Sequence, residues 1–132
     1  MAGAARDRAR DDLTARRPGR AGEDLAAAHL IRCGLRILDR NWRAGRLELD
    51  IVAQDGPVVA FVEVKTRGPG PQAPLEAVTW SKRCRVRRAA ERWIRTHPGV
   101  GEEFRFDVVG VSESGGLRVA EHVRDAFTGD DA

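Results

Sequence analysis

The residues of this sequence best suited to chemistry sit in two short stretches. They are Glu48-Leu-Asp50 and, beyond a turn, Glu63-Val-Lys65. In a β-strand every second side chain shares a face, so Glu48 goes with Asp50 and Glu63 with Lys65. With the two strands paired as a hairpin, a two-residue Asp55-Gly56 loop sets Asp50 opposite Phe61, and a four-residue loop sets it opposite Glu63. Either register keeps Asp50, Glu63 and Lys65 on one face, in direct or diagonal reach of ~7–8 Å. Two carboxylates beside a free backbone carbonyl form a hard-cation site suited to Mg²⁺. An adjacent lysine orients or helps deprotonate a water, and such a set serves phosphodiester hydrolysis. The plainer alternative is a Glu63–Lys65 or Asp50–Lys65 ion pair near a strand end.

Two further observations weigh on that choice. The chain holds 21 Arg and only two Lys, Lys65 and Lys82. In a background so biased, a surviving lysine marks a place that needs a compact ammonium with a movable pKa, where guanidinium is forked and always charged. The stretch Val58–Lys65 is otherwise apolar and reads as a central strand, where a carboxylate and an ammonium are costly unless paired or bound to a metal. Glu23 supplies a third acid. At ~100° per residue it shares a stripe with Ala27, Leu30 and Ile31, which aims it at the sheet. The helix macrodipole equally favours an acid in a first turn.

These groups need a scaffold, and the pattern of the chain provides one. Residues from about Arg20 to Cys33 read as a helix stopped by Gly34. Leu35–Arg43 is a first strand, and Leu47–Gln54 alternates, with Leu47, Leu49 and Ile51 one way and Glu48, Asp50 and Val52 the other. Asp55-Gly56-Pro57 is a turn. Val58–Lys65 is a β-branched run suited to a strand covered on both faces. A Gly/Pro loop at Gly68–Pro74 precedes a second helix, Ser81–Thr96, ended by His97-Pro98-Gly99. Phe104–Val111 and Leu117–Val123 are the last strands. The order α-β-β-β-α-β-β predicts an α/β domain, a mixed sheet with helices packed on it.

With 132 residues, 42% of them hydrophobic, the chain fits one domain with a core of its own. The expected organisation is a tail at residues 1–19, a domain at 20–127 and a short tail at 128–132. Residues 1–20 hold six Arg and three Asp, while the remainder balances 17 basic against 17 acidic groups. The basic character therefore belongs largely to the tail. No apolar run approaches the ~20 residues a membrane span needs, and the start has neither a secretory h-region nor the acid-poor composition of a transit peptide. A cytoplasmic protein is expected. Cys33 and Cys84 lack metal or disulfide spacing and read as small, partly buried residues.

The second helix is the basic one. Lys82, Arg83, Arg85, Arg87, Arg88, Arg92 and Arg95 face a single acid, Glu91. Arg85, Arg88, Arg92 and Arg95 fall in an arc of ~80°, with Val86, Ala89, Ala90, Trp93 and Ile94 opposite. Such a face suits phosphate contacts, and Lys82, Arg85, Arg88, Arg92 and Arg95 are the candidate nucleic-acid-binding residues. Nothing suggests base reading, and few aromatics are present for stacking. Trp42, Trp80 and Trp93 are expected in core or edge packing, and Asp107 as an arginine's partner without a catalytic role. His29, His97 and His122 form no local ligand set.

A linked series runs through the chain: Gly22-Glu23, Gly34–Arg43 with Ile37-Leu38 and Arg40-Asn41-Trp42-Arg43, Glu48-Leu-Asp50-Ile-Val-Ala53, Phe61-Val-Glu63-Val-Lys65-Thr-Arg67, Glu76-Ala-Val78, Lys82, Phe106-Asp107-Val-Val109 and Asp125-Ala-Phe127. From roughly Arg20 to Phe127 it resembles the small bacterial YraN-like proteins, which in turn resemble archaeal Holliday-junction resolvases and the PD-(D/E)xK nucleases. The resemblance implies a restriction-endonuclease-like fold, a central mixed β-sheet flanked by helices. By position it makes Asp50 and Glu63 the ligands of Mg²⁺ or Mn²⁺, Lys65 the catalytic lysine and Glu23 a helix-borne catalytic acid. Leu47 stands where the family often has Gly and is expected to point away from the site. The function so implied is a metal-dependent endonuclease acting on branched or duplex nucleic acid, DNA ahead of RNA, with a homodimer open as its state. The alternative from another class is a non-catalytic nucleic-acid-binding or adaptor module on the same fold.

Overall fold

The computed structural model describes residues 20–68 and 70–128. The expected tail at residues 1–19 and all but the first residue of the expected C-terminal tail lie outside the described residues. Two helices and five strands follow one another: α1 (Arg20–Arg32), β1 (Arg36–Ala44), β2 (Leu47–Asp55), β3 (Val58–Arg67), α2 (Trp80–Thr96), β4 (Glu103–Ser114) and β5 (Leu117–Phe127). The strands form one sheet in the order β1-β2-β3-β4-β5. The pairs β1–β2, β2–β3 and β4–β5 are antiparallel, and β3–β4 is parallel. This is the α/β architecture expected of a restriction-endonuclease-like fold, a mixed central sheet with a helix on each face.

Each face has its own core. Ala26, Ala27 and Leu30 of α1 pack with Ile51, Ala53, Ala60, Val62 and Val109. Val86, Ala89, Ala90 and Trp93 of α2 pack with Val52, Val59, Phe61 and Val108 on the other side. β3 therefore alternates between two apolar layers, which is why its sequence is apolar throughout. Burying side chains of this size contributes roughly 1.5–3 kcal/mol each. Trp93 also donates its Nε1–H to Asp39 at 2.9 Å, so its one polar atom is satisfied. Ile94 packs at the margin of that layer. Trp80 lies toward the surface, 59% exposed. Cys33, expected to be partly covered, is exposed, and neither cysteine is in a disulfide.

Local signals explain the element ends that position the site. Gly34 takes φ 94 after α1, while the N–H groups of Gly34 and Leu35 donate to Ile31 and Leu30 at 3.0 Å each, closing the helix as a left-handed residue does. Thr79 caps α2, its hydroxyl accepting from the Lys82 N–H at 3.2 Å. The β2–β3 hairpin closes through Gly56-Pro57, with Asp55 paired to Val58 and Gly56 at φ 63, as the first central position of a tight hairpin needs. Among the described residues no helix is long and apolar enough to cross a membrane.

Candidate active site

The β2–β3 ladder runs from Asp55↔Val58 to Ile51↔Val62 and ends there. Its next step would set Asp50 against Glu63. That is the register anticipated for a four-residue loop, reached through a two-residue turn. Beyond it the strands serve different neighbours. β2 continues to Leu47 against β1, and β3 continues to Arg67 against β4. The Val64 N–H, for which the ladder offers no acceptor, donates to Asp50 Oδ2 at 2.9 Å. A carboxylate thus closes the fork where two strands part.

The strict alternation expected of β2 fails at this fork. Val52 and Leu49 both join the α2-side layer, whereas Ile51 joins the α1-side layer. Leu47 also packs on the α2 side. That is the side of Glu63, not the side away from the site. The reversal is shared by β1. Asp39 hydrogen-bonds to Trp93 of α2, Arg40 pairs with Asp24 of α1 at 2.6 Å, and Trp42 returns to the α2 side. Between them Asn41, flanked by the Arg40↔Ile51 and Trp42↔Leu49 pairs, takes φ 52. Asparagine is among the few residues that accept this left-handed backbone.

Glu63 is buried, 5% exposed, on the α2 side. Its Oε1 meets Lys82 Nζ at 3.1 Å, while its Oε2 is buried without a hydrogen-bond partner. Burial first, then the Asp50 charge, pushes Glu63 up to about 7 against the pull of Lys82. Asp50 is likewise raised, mainly by burial, with the Val64 N–H opposing; Glu23 raises it further and Lys82 lowers it. The two acids therefore share one field, with Glu23 acting from α1 and Lys82 from α2. Glu23 is brought in because Gly22 lets α1 press on β3: a Cβ at Gly22 would lie 2.9 Å from the Thr66 hydroxyl.

Lys65 lies elsewhere. Its Nζ donates to the carbonyls of Leu75 at 3.0 Å and Ala77 at 3.1 Å, in the loop between β3 and α2. Arg67 donates to the Ala73 carbonyl of the same loop. The loop is pinned by Leu75, buried against Gly110, where any Cβ would sit 2.5 Å from a Leu75 methyl. Burial lowers the Lys65 pKa, with Arg67 acting in the same direction and Glu76 against it. The ammonium over the carboxylates is thus that of Lys82, which the sequence pattern placed with the arginines of α2.

Among the described residues no three His, Cys, Asp or Glu side chains gather closely enough to hold a metal ion. The donor chemistry nonetheless suits a hard cation. The Asp50 charge acts on Glu63, one buried Glu63 oxygen has no partner, and the other already holds a cationic group. Asp50 and Glu63 are the residues that would hold Mg²⁺ or Mn²⁺.

Comparison with known sequences places the chain. The profile of the uncharacterised protein family UPF0102 matches residues 22–111. A UPF0102 protein of Frankia casuarinae is 50% identical over 123 residues, which is 91% of this chain and 99% of the relative. Another, from Streptomyces coelicolor, is 51% identical over 110 residues, 80% of this chain and 85% of the relative. The chain belongs to the UPF0102 family. This is the YraN-like membership expected from the motif series. The matched span contains every candidate site residue, from Glu23 through Asp50, Glu63, Lys65 and Lys82 to Arg95.

Beyond the fork, Arg85, Arg88, Arg92 and Arg95 are exposed on α2. Arg85 leans on the Ser81 hydroxyl at 3.0 Å, and Arg87 pairs loosely with Glu91 at 3.9 Å. Four of the expected nucleic-acid contacts therefore share the solvent face of UPF0102 α2, and the fifth, Lys82, turns inward. Sequence pattern misses the role of Lys82, although lysine scarcity marks the residue. A residue four before buried Val86 lies on the same helical face, and that spacing is the available signal.

Proposed function

We propose that this UPF0102 protein is a metal-dependent endonuclease acting on branched or duplex DNA by phosphodiester hydrolysis. The observation that carries the reading is the Asp50 carboxylate held by the Val64 N–H, next in chain to Glu63, at the parting of β2 and β3, with a buried Glu63 oxygen left unpartnered. A divalent cation, when bound there, supplies charge to a phosphate and acidity to a neighbouring water. Asp50 and Glu63 supply its negative ligands, Glu23 adds negative charge from α1 without reaching the ion, and Arg85, Arg88, Arg92 and Arg95 take flanking phosphates. Lys65 enters the chemistry only by leaving the Leu75 and Ala77 carbonyls.

The test is nicking of branched and duplex DNA with Mg²⁺ or Mn²⁺. Wild type is expected to cut and Asp50→Asn to lose cutting while keeping DNA affinity. Replacing Arg85, Arg88 and Arg92 with Gln is expected to flatten the salt dependence of binding, by about 0.9 in the logarithmic slope for each phosphate no longer neutralised. A second reading rests on a specific contact. The Lys82–Glu63 ion pair and the tethered Lys65 suit a nucleic-acid-binding module that keeps the acids for structure. Binding without cutting under any divalent cation would establish that reading in place of the first.

A further inference from the structure

The carboxylates at the fork already have a cation, and it is part of the chain. Lys82 Nζ sits 3.1 Å from Glu63 Oε1. The Asp50 and Glu63 carboxylates both feel Lys82 as a stabilising charge, and neither feels Lys65 in that way. The two partners differ in freedom. The Glu63 side chain is 7% exposed and has nowhere to go, whereas that of Lys82 is 42% exposed and has water beside it. The backbone of Lys82 is fixed by the Thr79 cap, so its ammonium moves only by rotation of its own stem. A single ammonium neutralises one carboxylate charge of the two and leaves Glu63 Oε2 bare. A divalent ion neutralises both, and it meets Lys82 as a like charge.

Resting on the reading of Asp50 and Glu63 as a cation site, we propose that Lys82 is a tethered counter-ion that holds the divalent cation's place and is displaced when the ion binds. The ammonium and the ion are then rivals for the same oxygens. Loss of Lys82 strengthens ion binding, and loss of Lys65, committed to loop carbonyls, does not. The rivalry also sets a threshold, since Glu63 stays paired and the site quiet until the ion concentration suffices to displace the lysine.

The experiment is Mn²⁺ binding to the full chain at pH 8, read by the electron paramagnetic resonance signal of free Mn²⁺. It compares wild type, Lys82→Gln, Lys82→Arg, Lys65→Gln and Asp50→Asn, each checked for native circular dichroism. Lys82→Gln is expected to tighten Mn²⁺ by about tenfold, within the range over which two ligands on one protein normally couple. Lys82→Arg, which keeps the charge, and Lys65→Gln are expected to stay at the wild-type value, and Asp50→Asn to lose binding. Mn²⁺ bound through Asp50 but no tighter in Lys82→Gln would overturn the counter-ion alone. Equal tightening in Lys65→Gln would overturn it too, by showing a diffuse charge effect. Mn²⁺ bound by no variant, Lys82→Gln included, would overturn the cation site and the counter-ion together.

Discussion

Glu63 and Asp107 are the two buried acids among the described residues, and they are treated in opposite ways. They sit on neighbouring parallel strands one register step apart, Glu63 beside Val108 and Val62 beside Asp107, and face opposite sides of the sheet. Asp107 is fully satisfied. Arg105 Nε reaches it at 2.9 Å, His122 Nε2 lies at 2.9 Å, and the Asp125 N–H donates at 2.9 Å. Burial alone would raise its pKa, but the His122 and Arg105 hydrogen bonds outweigh it and hold the carboxyl below the usual value. Glu63 has one partner, one bare oxygen and a like charge at Asp50, and its pKa stands at about 7. Near-equal burial thus yields a carboxylate held firmly charged in one place and one kept near its titration point in the other. The first joins β4 to β5; the second is poised to take a proton.

The largest effect that separates the two is loss of the satisfied acid. Asp107→Ala leaves His122 and the Asp125 N–H without their acceptor and Arg105 without its nearest charge. It is expected to destabilise by about 3–5 kcal/mol in denaturant melts, as when one partner of a buried pair is removed. A change under about 1 kcal/mol would dissolve the contrast. The pH signature follows the lowered pKa. The stability Asp107 contributes is full above the unfolded value, near 3.8, and disappears as pH falls through the lower folded value.

Glu63 behaves with the reverse sign. Below about pH 4.5 it is protonated in both states. As pH rises from 4.5 toward about 7, the unfolded chain loses its proton first, so folding becomes less favourable. Above that, the penalty is constant. Glu63→Gln is therefore expected to stabilise at pH 8 by on the order of 2–3 kcal/mol and to be nearly neutral at pH 4. Melts at the two pH values check it, and equal effects at both would remove the assigned strain. The smallest effect concerns the two lysines. Lys82→Gln is expected to raise the midpoint of Glu63, and Lys65→Gln to leave it in place, as followed by the carboxyl ¹³C shift. A shift in both would place Lys65 within the same field.

The sequence showed every described element to within a few residues, because long β-branched runs, an arginine-faced helix and Gly34 each have a local cause. Asp107 with an arginine was equally legible, since a buried acid needs a partner. The candidate site was legible in its acids and not in its cations. Alternation assumes an uninterrupted pleat, and the paired reversal at Asn41 and Asp50 breaks it. Asn41 was the one hint, through its tolerance of φ 52. Face parity put Lys65 on the correct side, but it does not fix where a four-carbon stem ends. The acceptors that hold it, the Leu75 and Ala77 carbonyls, belong to a loop without periodicity.

The order of these parts along the chain has a consequence for how the protein is made. The β2–β3 hairpin turns on two residues, but its ladder stops short of Asp50 and Glu63, where the strands are held by β1 and β4, and Lys82 is added 17 positions after Lys65. At about 5–20 residues per second, an emerging chain holds both acids for about a second or more before their lysine is synthesised. β-Hairpins form in roughly 1–10 μs, yet a lone pair of strands is marginal in water, so the fork is not held until α2 and β4 arrive. Lys82, carried on α2, therefore comes with the packing that covers Glu63 and not after it.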